Sequence, residues 1–360
     1  MNSPFVSAEE LCAAVSHLPH ITSDIAAIPG ELKLTEEDFL VEEIPAYLPG
    51  GSGEHLYLWV EKRGVSTPDA ARHIAQALGP DVGVVGWAGL KDKQGVTRQW
   101  LSFQCPRDIS PQALQLENIT VLQAGRHSNK LRPGHLRGNH FRIRLANVPA
   151  ECDERAHGVL SRLAAHGMPN YFGPQRFGRA GRNLSDAWAW VIAGGRAPRK
   201  PFLRTLLVSS LQSALFNLWL GARLEQGLLD GAISGDILRK EETGGIFVCE
   251  DEAIDSERSR AWEISATGPL FGARMRRASR QAGEIEDQLL ARWGLDFGTL
   301  ERVKKYGEGA RRVGRVRPER CSCTRVDGDL MLEFTLPSGS YATVLVSELT
   351  KRHGLTLEGA

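Results

Sequence analysis

Residues 82–104 read VGVVGWAGLKDKQGVTRQWLSFQ, and the fold class turns on this stretch. The run VGVVGWAGL at 82–90 is apolar and glycine-rich, as a buried strand is. KDKQG at 91–95 is a charged turn, and a second strand leaves it from Val96 to about Gln104. Two strands joined without an intervening helix argue against strict strand–helix alternation and for an α+β architecture. Asp92 sits in the connection, where a rigid scaffold presents a side chain for chemistry.

Moving toward the N-terminus, HLYLWV at 55–60 predicts another strand, with Leu56, Leu58 and Val60 on one face. KLTEEDFLVEEI at 33–44 predicts a short strand, and AYLPGGSG at 46–53 a turn. Thr67 is placed to cap a helix with Pro68 in its first turn. Ala71, Ile74, Ala75 and Leu78 share one face of that helix, and Gly79-Pro80 ends it.

Toward the C-terminus, RHSNKLRPGHLRGNHFRIR at 126–144 lies in a stretch with no Asp or Glu from 119 to 149. Within it Phe141, Ile143 and Leu145 alternate with Arg142 and Arg144, a strand with one apolar and one cationic face. Beyond Gly167 helical spacing takes over, with helices expected at 209–229 and 281–293. The segment 302–317 holds seven Lys or Arg against the single Glu308. After Leu330, MLEFTL, the turn PSGS and YATVLV predict two closing strands. Strand-rich ends bracketing a helix-rich middle suggest one domain inserted in another.

Composition narrows the class. The chain has 360 residues, 42% apolar and 24% charged, enough for a large core and unlike a disordered chain or a fibre. The net charge is only +1, so any nucleic-acid contact must rest on local positive charge. Six cysteines are scattered, and a disulfide framework is not expected in a chain of this size. Cys321 and Cys323 form one close pair without a second, so no metal is expected. No basic start precedes an apolar run, and no stretch reaches roughly 20 continuous apolar residues. The expectation is a cytoplasmic protein that does not enter a membrane.

Three constellations carry possible chemistry, each beside a plainer reading. Asp92 lies between Lys91 and Lys93, cations that favour an ionised carboxylate for nucleophilic or charge-stabilising work. KDKQG reads equally as a solvated turn. In the basic strand, arginines suit phosphates, Phe141 offers a stacking face and Asn139 an amide for a base edge. Otherwise Phe141 is core and the arginines are a solvated face. PNYFGPQRFGRAGRN at 169–183 combines aromatics, arginines and glycines suited to phosphates, or is a packed loop anchored by its aromatics. Asp38, Glu42 and Glu43 suggest a carboxylate pair, although Glu36, Glu37 and Asp38 read as a solvated acidic turn. No GxSxG, GxxxxGK[ST] or HExxH motif occurs.

Five segments together resemble one family, the bacterial tRNA pseudouridine synthase D (TruD) family. GWAGLKDKQGVTRQW at 86–100 is similar to its catalytic motif, which places the essential aspartate on Asp92. KLTEEDFLVEE at 33–43 is similar to its N-terminal motif, so Lys33 and Phe39 inherit active-site roles. LRGNHFRIRL at 136–145 matches the motif that supplies Asn139 and Phe141. PNYFGPQRFG at 169–178 is its most recognisable signature, and PSGSYATVLV at 337–346 matches its C-terminal motif. Tyr341 stands where the family commonly has Phe, and its hydroxyl needs a partner if buried. The resemblance runs from about residue 31 to 350, with the motifs in family order.

The resemblance implies a pseudouridine synthase fold, with a mixed, largely antiparallel sheet, split over 1–166 and 316–360. It also implies an inserted α/β TRUD domain at 167–315. The implied activity is isomerisation of uridine to pseudouridine in tRNA, at uridine 13, without cofactor or metal. Asp92 supplies the carboxylate to a flipped-out base. Lys33, Phe39, Asn139, Phe141 and Tyr341 bind the substrate nucleotide. Arg142, Arg144 and Arg176 contact RNA phosphates. A monomer acting on tRNA without an obligate protein partner is expected. Two rival readings remain, a non-catalytic tRNA-binding protein and a hydrolase that releases free uracil.

Overall fold

The structure is a computed structural model and describes residues 6–32, 35–79, 82–114 and 116–352. The chain packs into two units. One comprises 28–160 and 318–339, and the other 161–317 with the flanking segments before Ile28 and after Gly339.

The first unit is built on a mixed sheet. Its strands run in the order Glu319–Val326, Asp329–Pro337, Leu136–Ala146, Phe39–Pro45, Val96–Gln104, His55–Arg63 and Ile119–His127. Short strands add at Glu31–Leu32 and Val85–Trp87. Phe39–Pro45 and Val96–Gln104 pair in parallel, with Leu40 opposite Val96, and the other pairings in this sheet are antiparallel. The fold is therefore α+β, as the joined strands predicted.

The helix Thr67–Leu78 covers one face of this sheet. Ala71, Ile74 and Leu78 share a core there with Leu56, Leu58, Val60, Leu101 and Phe103. The capping residue is Ser66, whose hydroxyl accepts from the Asp69 amide, not Thr67. Thr67 is the first helical residue, and its hydroxyl is engaged elsewhere. VGVVGWAGL forms only the three-residue strand Val85–Trp87, paired on one side, with Val84 and Leu90 exposed. An apolar run next to glycines here marks a sheet margin rather than a buried strand.

The second unit centres on the 25-residue helix Pro201–Glu225. Leu207, Leu211 and Leu215 pack with Leu184, Phe271, Trp293 and Leu300. By length and composition this helix could cross a bilayer. It is a core helix instead, with 72% of its most apolar window buried in the protein. A four-stranded antiparallel sheet accompanies it, in the order Ile246–Val248, Ile237–Lys240, Ile264–Leu270 and Ala310–Val313. The helix Arg280–Arg292 falls close to its expected position.

YATVLV does not form the expected strand. Residues Ala342–Thr350 are a helix, with Leu345, Val346 and Leu349 fully buried. Packing overrides the strand preference of its β-branched residues. The basic segment 302–317 also turns inward. Arg311 pairs with buried Glu286 at 2.8 Å, Arg312 donates to the Asn170 side chain at 2.6 Å, and Arg315 donates to the His166 carbonyl at 2.9 Å. Much of its charge therefore serves the interior of its own unit.

Candidate active site

The loop carrying Asp92 is pinned from several directions. The Gly89 carbonyl accepts from Gln99 Nε2 at 3.0 Å. The Lys91 amide donates to Thr67 Oγ1 at 3.0 Å, and Thr67 in turn donates to Gln99 at 2.7 Å. Lys91 Nζ pairs with Glu43 at 2.9 Å, both side chains being buried. Glu43 also accepts from the Trp100 amide at 3.3 Å. Burial pushes the Glu43 carboxyl above its usual range, against the pull of Lys91. Finally, the Asp92 carbonyl accepts from Lys62 Nζ at 2.7 Å.

These bonds set which side chains face outward. Leu90 is 69% exposed, Lys93 is exposed and Asp92 is half-buried. Among the described residues, none hydrogen-bonds or forms an ion pair with the Asp92 carboxylate. Of the two flanking lysines, Lys91 does not turn toward the Asp92 carboxylate. Lys91 turns inward to Glu43, and the buried cation beside Asp92 is Lys62, from a strand about 30 residues away in the chain. Sequence spacing gives no signal for Lys62, because only the pairing of His55–Arg63 with Val96–Gln104 brings it near.

Strand register sorts the remaining candidates. Phe39, Val41 and Glu43 lie opposite Ile143, Phe141 and Asn139, and side chains directly opposite share a face. Arg142 and Arg144 alternate with these residues and project from the other face. Phe141 stacks on Phe334, centroids 5.3 Å apart, and meets Phe39 at 6.3 Å. Phe39 is fully buried and lies under Gly95 at the end of the turn. Its ring packs beneath the turn. Asn139 Oδ1 is buried and has no partner among the described residues.

The proposed phosphate ligands differ among themselves. Arg144 bonds Asp329 at 2.6 Å and lies 3.7 Å from Asp38, whereas Arg142 is exposed and 3.5 Å from Glu333. Arg176 and Tyr341 belong to the second unit. There Arg176 donates to Ser213 at 3.1 Å, and its guanidinium lies 5.5 Å from the Phe172 ring centre. Tyr341 is half-buried, its ring 6.0 Å from that of Phe172. Tyr171 and Phe177 are buried, so PNYFGPQRFG is a loop anchored by its aromatics. Lys33 lies outside the described residues. No group of three or more His, Cys, Asp or Glu suited to a metal occurs among the described residues.

The family model for tRNA pseudouridine synthase D (TruD) matches residues 17–186 and 197–349. The chain is 46% identical over 338 residues to the tRNA pseudouridine synthase D of Anaeromyxobacter sp. (strain Fw109-5), covering 92% of this chain and 96% of that one. It is 43% identical over 340 residues to a protein of the same name from Thermus thermophilus, covering 94% and 93%. A crystal structure from Methanosarcina mazei described as a TruD protein superimposes with a TM-score of 0.75 at 23% identity. That match covers 98% of this chain and 99% of the other, and supports the fold. The chain belongs to the tRNA pseudouridine synthase D family.

Proposed function

We propose that this chain isomerises uridine to pseudouridine in tRNA, at uridine 13, with Asp92 as the catalytic carboxylate. Family membership supports the reaction class and the tRNA substrate. One observation carries the assignment to Asp92: its carboxylate is unpaired among the described residues, on a loop otherwise fixed by side-chain bonds. A half-buried carboxylate that pairs with no described residue of its own protein is open to a substrate.

The reaction breaks N1–C1′, turns the uracil and forms C5–C1′, while the C5 proton is lost and N1 gains one. Atoms and electrons balance without an added reagent. An ionised carboxylate can attack C1′, stabilise the sugar as the bond breaks, or deprotonate it. The base must leave its stack, at a cost of a few kcal/mol. Phe141 keeps the stacking role its motif implies, and Asn139 Oδ1, buried without a partner among the described residues, offers an acceptor for an N–H on the uracil edge. Phe39 backs the loop. Lys33, Tyr341 and Arg176 keep nucleotide- and RNA-contacting roles on the strength of their motifs.

The functional division into a catalytic domain at 1–166 and 316–360 with an insert at 167–315 is part of this proposal. Packing boundaries near 160 and 317 lend it support, while the flanking segments before Ile28 and after Gly339 pack with 161–317.

Tritium release from C5-labelled uridine in tRNA tests the assignment. Asp92→Asn should abolish release and leave tRNA binding close to wild type. Wild-type release in that variant refutes the role of Asp92. Free uracil among the products would instead indicate hydrolysis.

A further inference from the structure

Lys62 is only 1% exposed and is among the largest fully buried side chains. It sits near the end of His55–Arg63, opposite Thr97, on the face covered by the helix Thr67–Leu78. Its ammonium donates to the carbonyls of Val65 and Asp92, each at 2.7 Å. Among the described residues no carboxylate forms an ion pair with it. Glu43, the buried carboxylate at the loop, is already paired with Lys91. A buried cation is costly without a compensating charge. Asp92 is the carboxylate that acts on it.

Resting on the assignment of Asp92 above, we propose that Lys62 is the positioning residue of the active site. Its two carbonyl bonds fix the Asp92 backbone against the start of the helix, and its charge balances the carboxylate from beneath. The carboxylate is thereby aimed, while its open side stays free for the substrate. Lys62 touches no substrate atom and acts through Asp92.

The expected signature separates this role from a merely structural one. Burial lowers the Lys62 ammonium to about 8, with Asp92 opposing the shift and Lys91 adding to it. Nearby Glu61 and Arg63 alternate to the other face, and Asp69 on the helix accepts from the Ser66 hydroxyl and pairs with Arg72. A lowered folded value means that the unfolded chain holds the proton more tightly. On account of Lys62, then, the fold gains relative stability as pH rises from about 8 to 10.5. Activity should fall over the start of that window, so inactivation and stability move in opposite directions.

The test is single-turnover tritium release from C5-labelled tRNA, with tRNA binding measured in parallel. Lys62→Met should lower the rate by about 100-fold, the scale of a misplaced catalytic group, with tRNA affinity within about threefold. The wild-type rate should decline above about pH 8 as the ammonium loses its proton. A Lys62→Met rate within about threefold of wild type overturns the proposal while Asp92→Asn remains inactive. So does a wild-type rate that is flat between about pH 7 and 9, a measurement that needs no variant to fold. Full activity in Asp92→Asn would sink the underlying assignment instead, so the two failures are distinguishable.

Discussion

Glu43→Met removes one half of the buried pair that draws Lys91, and with it the Asp92 loop, into the sheet. In the wild type the two groups are 2.9 Å apart, with side-chain exposures of 4% for Lys91 and 0% for Glu43. The variant leaves an ammonium buried without its carboxylate. Breaking a buried pair from one side costs about 3–5 kcal/mol. At about 2–4 °C per kcal/mol, the melting temperature of the unit should fall by roughly 6–20 °C. Neutralising both groups in Glu43→Met/Lys91→Met removes the uncompensated charge. Stability should then return to within about 1–2 kcal/mol of wild type. Activity should not return, because the double variant has lost the bond that locates the loop, and a displacement of about 1 Å costs on the order of 100-fold in rate. Thermal unfolding and tritium release on the same preparations read both quantities. A single variant that loses less than about 1 kcal/mol would mean that the pair behaves as an exposed one. A double variant no more stable than the single would refute the account of the charge.

Gly95→Ala tests the seating of the turn on Phe39. Gly95 has φ +128°, and an added Cβ would lie 2.6 Å from the Phe39 carbonyl oxygen. A loss of about 1–3 kcal/mol in denaturant unfolding is expected, together with slower tritium release, and an unchanged midpoint would show that the turn relaxes freely. Arg142 and Arg144 should separate in salt titrations of tRNA binding. Arg142→Ala should reduce the slope of log K against log salt by about 0.7–0.9, whereas Arg144→Ala, which loses Asp329, should lower thermal stability with the slope unchanged. The reverse pattern would assign the phosphate contact to Arg144.

The parts of this architecture that are local in sequence are the parts a reader of the sequence can find. The strand from Val96 to Gln104, the turn before it and the alternation of Phe141, Ile143 and Leu145 against Arg142 and Arg144 are short-range patterns, and the structure contains them. Family motifs added residues that pattern reading left ambiguous. What stayed hidden depends on distant partners. Lys62 reads as one more charge in EKRG, and only strand pairing brings it under Asp92. Arg311 and Arg315 read as a basic surface because Glu286 and Ser259, which receive them, lie on other elements. In YATVLV, β-branched residues suggest a strand. The helix instead buries Leu345, Val346 and Leu349 and lets Glu348 accept from the amides of Ile21 and Thr22. Tertiary packing decides such segments.

The same dependence on distant partners explains how one half-buried carboxylate can be made ready for chemistry. The loop at 89–92 takes anchors from Glu43 on one strand, Lys62 on a second, Gln99 on a third and Thr67 at the start of the helix. Each anchor uses a backbone group of the loop or the Lys91 side chain, and none uses the Asp92 carboxylate. Reorganisation at the moment of reaction is costly, and groups fixed in advance avoid it. A loop held only by its own turn bonds would have to order itself each time a substrate arrived. Here the ordering is complete when the sheet forms, and the positive charge beneath Asp92 belongs to that sheet. The proposed reactive group is therefore the member of the network that the fold leaves open, and changes at Glu43, Lys62 or Thr67 should reach the chemistry without touching the RNA.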